Sequence, residues 1–189
     1  MVPRSQLTSL PNLLTIGRIV IIPVIVWLLV TGESGMRIAA LVIYVLAAVT
    51  DWLDGFLARR MGTGSPLGQM LDPIADKLLV GALIVTLAWD GSLSALDLIP
   101  AIAIMLREIF IAGLREFLGN ANVVVKVTAL AKWKTTVQLI AIAIVLFERI
   151  VPGVGLVSDI ALWLAGILTV WTGAQYFIAS WPHLSGKPS

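Results

Sequence analysis

The sequence predicts an all-α integral membrane protein of six transmembrane helices, with both termini and one polar site on the cytoplasmic side. Three observations carry that prediction. Of 189 residues, 59% are hydrophobic and only 13% are charged, about half the roughly 25% charge of soluble domains. The apolar residues fall into six runs separated by glycine- and proline-bearing breaks. Counted generously at span ends, eleven of the thirteen lysines and arginines then fall on one side. The length suits a single membrane domain covering residues 1–189.

In order, the predicted spans run over 12–31, 36–60, 73–89, 94–117, 128–147 and 157–179. A span of about 20 residues at about 1.5 Å each matches a hydrocarbon core of about 30 Å. Pro11 suits the opening turn of the first helix. The second loses its apolar character near Thr50 and continues into an acidic segment. Breaks fall at 32–35, 62–66, 90–91 and 152–155, each carrying glycine. Arg4 ahead of the run from Ile19 to Val30 has the layout of a signal peptide. No small-residue cleavage site follows, and Arg18 and Pro23 interrupt the run, so it reads as a retained helix.

Only Arg37 and Arg149 fall on the cation-poor side, so the positive-inside rule places the termini and the acidic segment in the cytoplasm. There is no cysteine, and His183 is the only histidine, which excludes a zinc site of the usual ligands. The tryptophans, among them Trp27, Trp89, Trp163, Trp171 and Trp181, read as interface or packing residues. Membrane lipids are the expected surroundings, and nucleic acid is not an expected partner.

The acidic segment carries the chemistry. Asp51 and Asp54 stand three apart, and Asp72 and Asp76 four apart, so each pair projects from one helix face. Four like charges at a membrane boundary repel one another and demand a cation. Carboxylate oxygens without nitrogen or sulfur partners favour Mg2+ or Mn2+, and two such ions would balance four charges. Paired metals are a known device for displacement at phosphorus. Gly55 and Ala58 leave room for a ligand near the backbone, and Arg59 offers a planar fork for phosphate. The plain structural alternative makes these aspartates helix caps. Asp72 ahead of Pro73 does have the look of an N-cap followed by a first-turn proline. Capping explains one aspartate, not four with two glycines and an arginine at fixed offsets.

The stretch Asp51-x2-Asp54-Gly55-x2-Ala58-Arg59-x8-Gly68-x3-Asp72-x3-Asp76 resembles, at all eight fixed positions, the signature of the CDP-alcohol phosphotransferase family. The resemblance implies six helices around a cytosol-facing site with two divalent cations, and a homodimer. An acceptor hydroxyl would attack the lipid-side phosphorus of a CDP-linked donor, and CMP would leave. By the same resemblance Asp51 and Asp72 would bridge both metals, Asp54 would complete the shell of the first metal, and Asp76 would bind the second metal and act as general base. Gly55, Ala58, Arg59 and Ser65 match nucleotide-contacting positions, with Asn12 and Thr15 as further candidates. An aspartate of ordinary pKa, about 3.9, is a poor base for an alcohol, so the metals must stabilise the developing alkoxide.

A second cluster is cationic: Arg107, Arg115, Lys132 and Lys134. Arg107 and Arg115 lie eight apart and share a face, each followed by a glutamate able to orient it. Lys126 reads as a membrane anchor, whereas Arg107 lies well inside a span and needs a partner. A basic pocket suits an acceptor that bears its own phosphate. The segments 11–18, 107–115 and 132–136 resemble the branch of the family that makes phosphatidylglycerol phosphate from CDP-diacylglycerol and sn-glycerol 3-phosphate. Phosphatidylinositol phosphate synthesis and cardiolipin synthesis from phosphatidylglycerol are the alternatives within the family. A cation transporter, the alternative outside it, predicts metal flux without CMP formation and has no evident use for Gly55, Ala58, Arg59 and Gly68.

Overall fold

The computed structural model describes residues 10–61, 66–121, 123, 125 and 129–185, and among them every regular element is an α-helix. They are α1 (Leu10–Val30), α2 (Ser34–Met61), α3 (Pro66–Trp89), α4 (Leu98–Asn120), α5 (Ala129–Glu148) and α6 (Gly155–Leu184). These helices fall into two compact units. The first holds α1, α2 and α3 with the short segment 149–151; the second holds α4, α5 and α6.

In the first unit α1 packs against both α2 and α3. Its buried stripe runs Asn12, Thr15, Arg18, Ile22, Ile25 and Leu29, the three-and-four spacing of one helix face. The first half of that stripe is polar and the second half is hydrocarbon. From α3, Ala75, Leu79, Val80, Leu83, Ile84 and Leu87 are buried as well. Three helices are long and apolar enough to cross a membrane among the described residues, over Asn12–Val30, Ser34–Asp51 and Gly155–Leu184. The other three carry charges in their bodies, such as Asp76 on α3, Arg107 on α4 and Lys134 on α5.

One expected boundary needs correction. α3 begins at Pro66 rather than Pro73, so Asp72 sits in its second turn and is no N-cap. Pro66 fills the first helical position, where a missing N–H costs nothing. Pro73 is carried inside the helix, where it cannot donate to the carbonyl four residues back. The Lys77 ammonium donates to the Pro73 carbonyl at 2.9 Å. At α4 the difference is smaller. Ser94 and Asp97 bond reciprocally, the hydroxyl donating to the carboxylate at 2.5 Å and the Asp97 N–H to the hydroxyl at 3.3 Å. That turn precedes the helix as a capping box does.

The turn after α3 is clasped by the two cations of the cation-poor side. Arg37 donates to Asp90 and to Ser92, each at 2.6 Å. Arg149 donates to the Gly91 carbonyl, and Gly91 adopts φ 71°, a region open to glycine.

In the second unit α6 packs against both α4 and α5. The approach of α6 to α4 depends on missing side chains. A Cβ on Gly166 would lie 2.6 Å from the Pro100 Cβ, and one on Gly173 would lie 2.8 Å from the Arg107 Cγ. These glycines stand seven apart, two turns along one stripe of α6, and in lipid such close backbone contact supplies much of the attraction between helices. Replacing Gly166 by leucine is expected to cost about 1–3 kcal/mol by overpacking against a rigid ring. The readout is a lowered unfolding temperature in detergent. Gly113→Ala, where an added Cβ meets nothing within 4 Å, is expected to leave that temperature unchanged or raise it slightly.

Candidate active site

In the first unit the polar half of the α1 stripe gathers acids from two other helices. The Arg18 side chain is only 5% exposed, which is costly for a guanidinium unless carboxylates face it. Asp51 at the end of the apolar part of α2 pairs with Arg18 Nη2, and Asp76 on α3 accepts from Nη1 at 3.0 Å. One turn earlier on both α1 and α3, the Thr15 hydroxyl donates to Asp72 at 2.5 Å. Asn12, a further turn back on α1, is fully buried. Gly68, Asp72 and Asp76 follow at four-residue steps along α3, with Gly68 buried. The parallel run of α1 and α3 thus produces a ladder of polar contacts in register.

Asp51, Asp72 and Asp76 are therefore brought into one unit. Asp54, Gly55, Ala58 and Arg59 lie on α2 with side chains outside the described residues, and Ser65 lies outside them altogether. Among the described residues no three acids converge on a common point for a metal. Arg18 contacts both Asp51 and Asp76, and Asp72 accepts from Thr15. The donor set is nevertheless oxygen only, the set that suits a hard divalent ion, and a cation already binds two of its members. Counted only among the cations that set orientation, Arg18 shows no sign of this role. The available signal was its place on the stripe of Asn12 and Thr15, inside an apolar helix where a charge needs a partner.

The second unit contains the basic cluster. Glu108 on α4 pairs with Lys134 on α5 and accepts from Arg107 at 3.2 Å and from Gln138 at 3.5 Å. Gln138 also donates to Thr169 on α6 at 2.8 Å, and Arg107 donates to Thr172 at 3.4 Å. The Arg107 shaft lies against Gly173, and its Nε is buried with no hydrogen-bond partner among the described residues. Glu108 orients Arg107 as expected. Arg115 behaves differently: among the described residues it forms no ion pair with Glu116, and its guanidinium lies 5.6 Å over the Tyr176 ring, a cation–π contact. The Lys132 side chain lies outside the described residues. Gln138, Thr169 and Thr172 were not anticipated, because uncharged polar residues in apolar helices give little sequence signal.

An all-helical fold with oxygen-only acids on α2 and α3 is compatible with metal-assisted phosphoryl transfer. Residues 8–171 match the family model for CDP-alcohol phosphatidyltransferase, and the chain belongs to that family. Enzymes of this family generally use divalent metal ions. Similar curated proteins include the CDP-diacylglycerol–glycerol-3-phosphate 3-phosphatidyltransferase of Rickettsia typhi, 42% identical over 174 residues, covering 90% of this chain and 96% of that protein. A Pseudomonas fluorescens protein of the same name is 38% identical over 180 residues, 93% of this chain and 92% of its own. An Arabidopsis thaliana protein of that name, numbered 2, is 37% identical over 201 aligned positions, covering 97% and 84%.

Thr15→Val is expected to lower CMP release roughly 10- to 100-fold, the worth of one hydrogen bond to a charged group. Thr15→Ser, which keeps the donor, should retain most of the activity.

Proposed function

We propose that this chain transfers the phosphatidyl group of CDP-diacylglycerol to sn-glycerol 3-phosphate, giving phosphatidylglycerol phosphate and CMP in phospholipid biosynthesis. What carries the reading is that relatives named for this reaction align over nine-tenths of the chain or more. A single family model running through both units supports treating residues 1–189 as one domain.

In this reading two divalent cations, Mg2+ or Mn2+, held by Asp51, Asp54, Asp72 and Asp76, supply positive charge for the donor's pyrophosphate and the developing alkoxide. Asp76 takes the proton from the acceptor hydroxyl. That oxygen bonds to the phosphatidyl phosphorus, the bond from phosphorus to the CMP oxygen breaks, and CMP leaves with the electron pair. Thr15, a candidate contact to the donor, also orients the Asp72 carboxylate. Gly55 and Ala58 give the nucleotide access to the α2 backbone, Arg59 forks onto its phosphate, and Ser65 and Asn12 complete its contacts.

The acceptor's phosphate falls to Arg107, Lys134, Lys132 and Arg115. In support, Arg107 and Lys134 are held by Glu108, and Arg107 still has one buried donor without a partner. A fixed guanidinium with a spare N–H is preorganised for an anion. With six spans in a bacterial inner membrane, the eleven-to-two cation asymmetry supports an orientation with both termini and the acids cytoplasmic. A homodimer is part of the proposal, on the family resemblance. Phosphatidylinositol phosphate and cardiolipin synthesis gain no support from the relatives named above, and neither does transport.

Purified protein in detergent with CDP-diacylglycerol is expected to release CMP with glycerol 3-phosphate. Faster release with inositol phosphate or phosphatidylglycerol would overturn the acceptor assignment. Asp76→Asn should keep CDP-lipid binding and lose turnover by about 10²–10⁴-fold, as loss of a general base does. Arg107→Ala should raise the acceptor KM roughly 10- to 100-fold with the donor KM unchanged, the worth of one or two charge-assisted bonds.

A further inference from the structure

Arg18 has no place in the reaction just described, yet it is the most deeply placed charge of the first unit among the described residues. Its side chain is 5% exposed and contacts two of the four signature aspartates, one on α2 and one on α3. Asp51 and Asp76 keep 33% and 43% of their side-chain surface exposed, so the acids are approachable from outside while the cation is not. A carboxylate oxygen occupied by a guanidinium N–H has a lone pair already engaged, and the positive charge repels a second cation brought to the same oxygens.

We propose that Arg18 is a built-in competitor for divalent ions at Asp51 and Asp76: it neutralises the two acids when no metal is bound and sets how tightly metal is taken. The inference rests on the metal-assisted transfer proposed above. Two properties favour a displaceable partner over a fixed strut. Arg18 is held at its head by acids from two helices and sits on a flexible stem, so releasing it requires side-chain rotation without helix movement. Asp72, the third described acid, is engaged by a neutral hydroxyl, which a metal need not expel by charge. A strut and a competitor differ in sign: removing a strut weakens metal binding, and removing a competitor tightens it.

The test uses the full chain in detergent, stripped with a chelator and titrated with Mn2+ alone, by calorimetry and by unfolding temperature. Arg18→Met is expected to bind Mn2+ roughly 10-fold or more tightly than the unaltered protein, since two charge-assisted contacts no longer have to be broken. Its chelated form should unfold at a lower temperature, and Mn2+ should restore it. Arg18→Lys, which keeps the charge but not the fork, should fall between the two in affinity. Equal affinity in all three proteins, or weaker binding by Arg18→Met, overturns the proposal. Should Arg18→Met fail to fold, unaltered protein carrying 15N-labelled arginine decides. Saturating Mg2+ is expected to move one side-chain resonance, the one missing from Arg18→Lys, and a stationary resonance overturns the proposal. CMP release with glycerol 3-phosphate, measured alongside, separates the two readings. Release with unchanged Mn2+ affinity removes the competitor alone, whereas no release with the expected affinities removes only the functional assignment.

Discussion

A guanidinium shut among helices must be faced by carboxylates, and the first unit is arranged around that demand. Removing one partner of a buried pair costs about 3–5 kcal/mol, because a charge is left without compensation. Arg18 on α1 draws its two partners from α2 and α3, so rotating any of the three helices about its axis would break a contact of this kind. The same constraint sets the register of Thr15 with Asp72 one turn away. Below it on the stripe, hydrocarbon takes over and fixes separation more than orientation. Before metal binds, the interaction that specifies the helix arrangement is therefore the one that assembles the acids, a part that the ions take over once Arg18 is displaced.

The second unit applies the same physics with the sign reversed. Its centre is an acid, Glu108, surrounded by Lys134, Arg107 and the Gln138 amide. The network spans α4, α5 and α6 through Gln138, Thr169 and Thr172. Gly173 lets the Arg107 shaft lie against the α6 backbone, and Gly166 lets α6 meet Pro100. Small residues govern how near the helices come, and the polar network governs which residues meet.

The helices were legible because apolar runs of membrane length leave few other readings, and the acids because their spacing forms one contiguous pattern. Where reading failed, the cause was competition between local signals or partners remote in sequence. Asp72-Pro73 looks like a helix start, yet Pro66 offers the same signal earlier, and a helix begun there can carry Pro73 inside. Arg18 and Asp76 are 58 residues apart, and nothing in either local sequence joins them. Arg115 and Glu116 look like a repeat of Arg107 and Glu108, but Tyr176, 61 positions on, is the surface that Arg115 meets.

The clasp on the turn after α3 bears on how orientation in the bilayer can be studied. Arg37 and Arg149 are the whole cationic content of their side by sequence count, and both are bound into residues 90–92. Charge-neutralising either arginine to probe insertion would loosen that turn and shift the topological bias in one stroke, leaving the two effects confounded. Appending lysines to the 152–155 connection alters the bias while leaving the fastening alone, and is the cleaner way to ask which face of the bilayer the chain prefers.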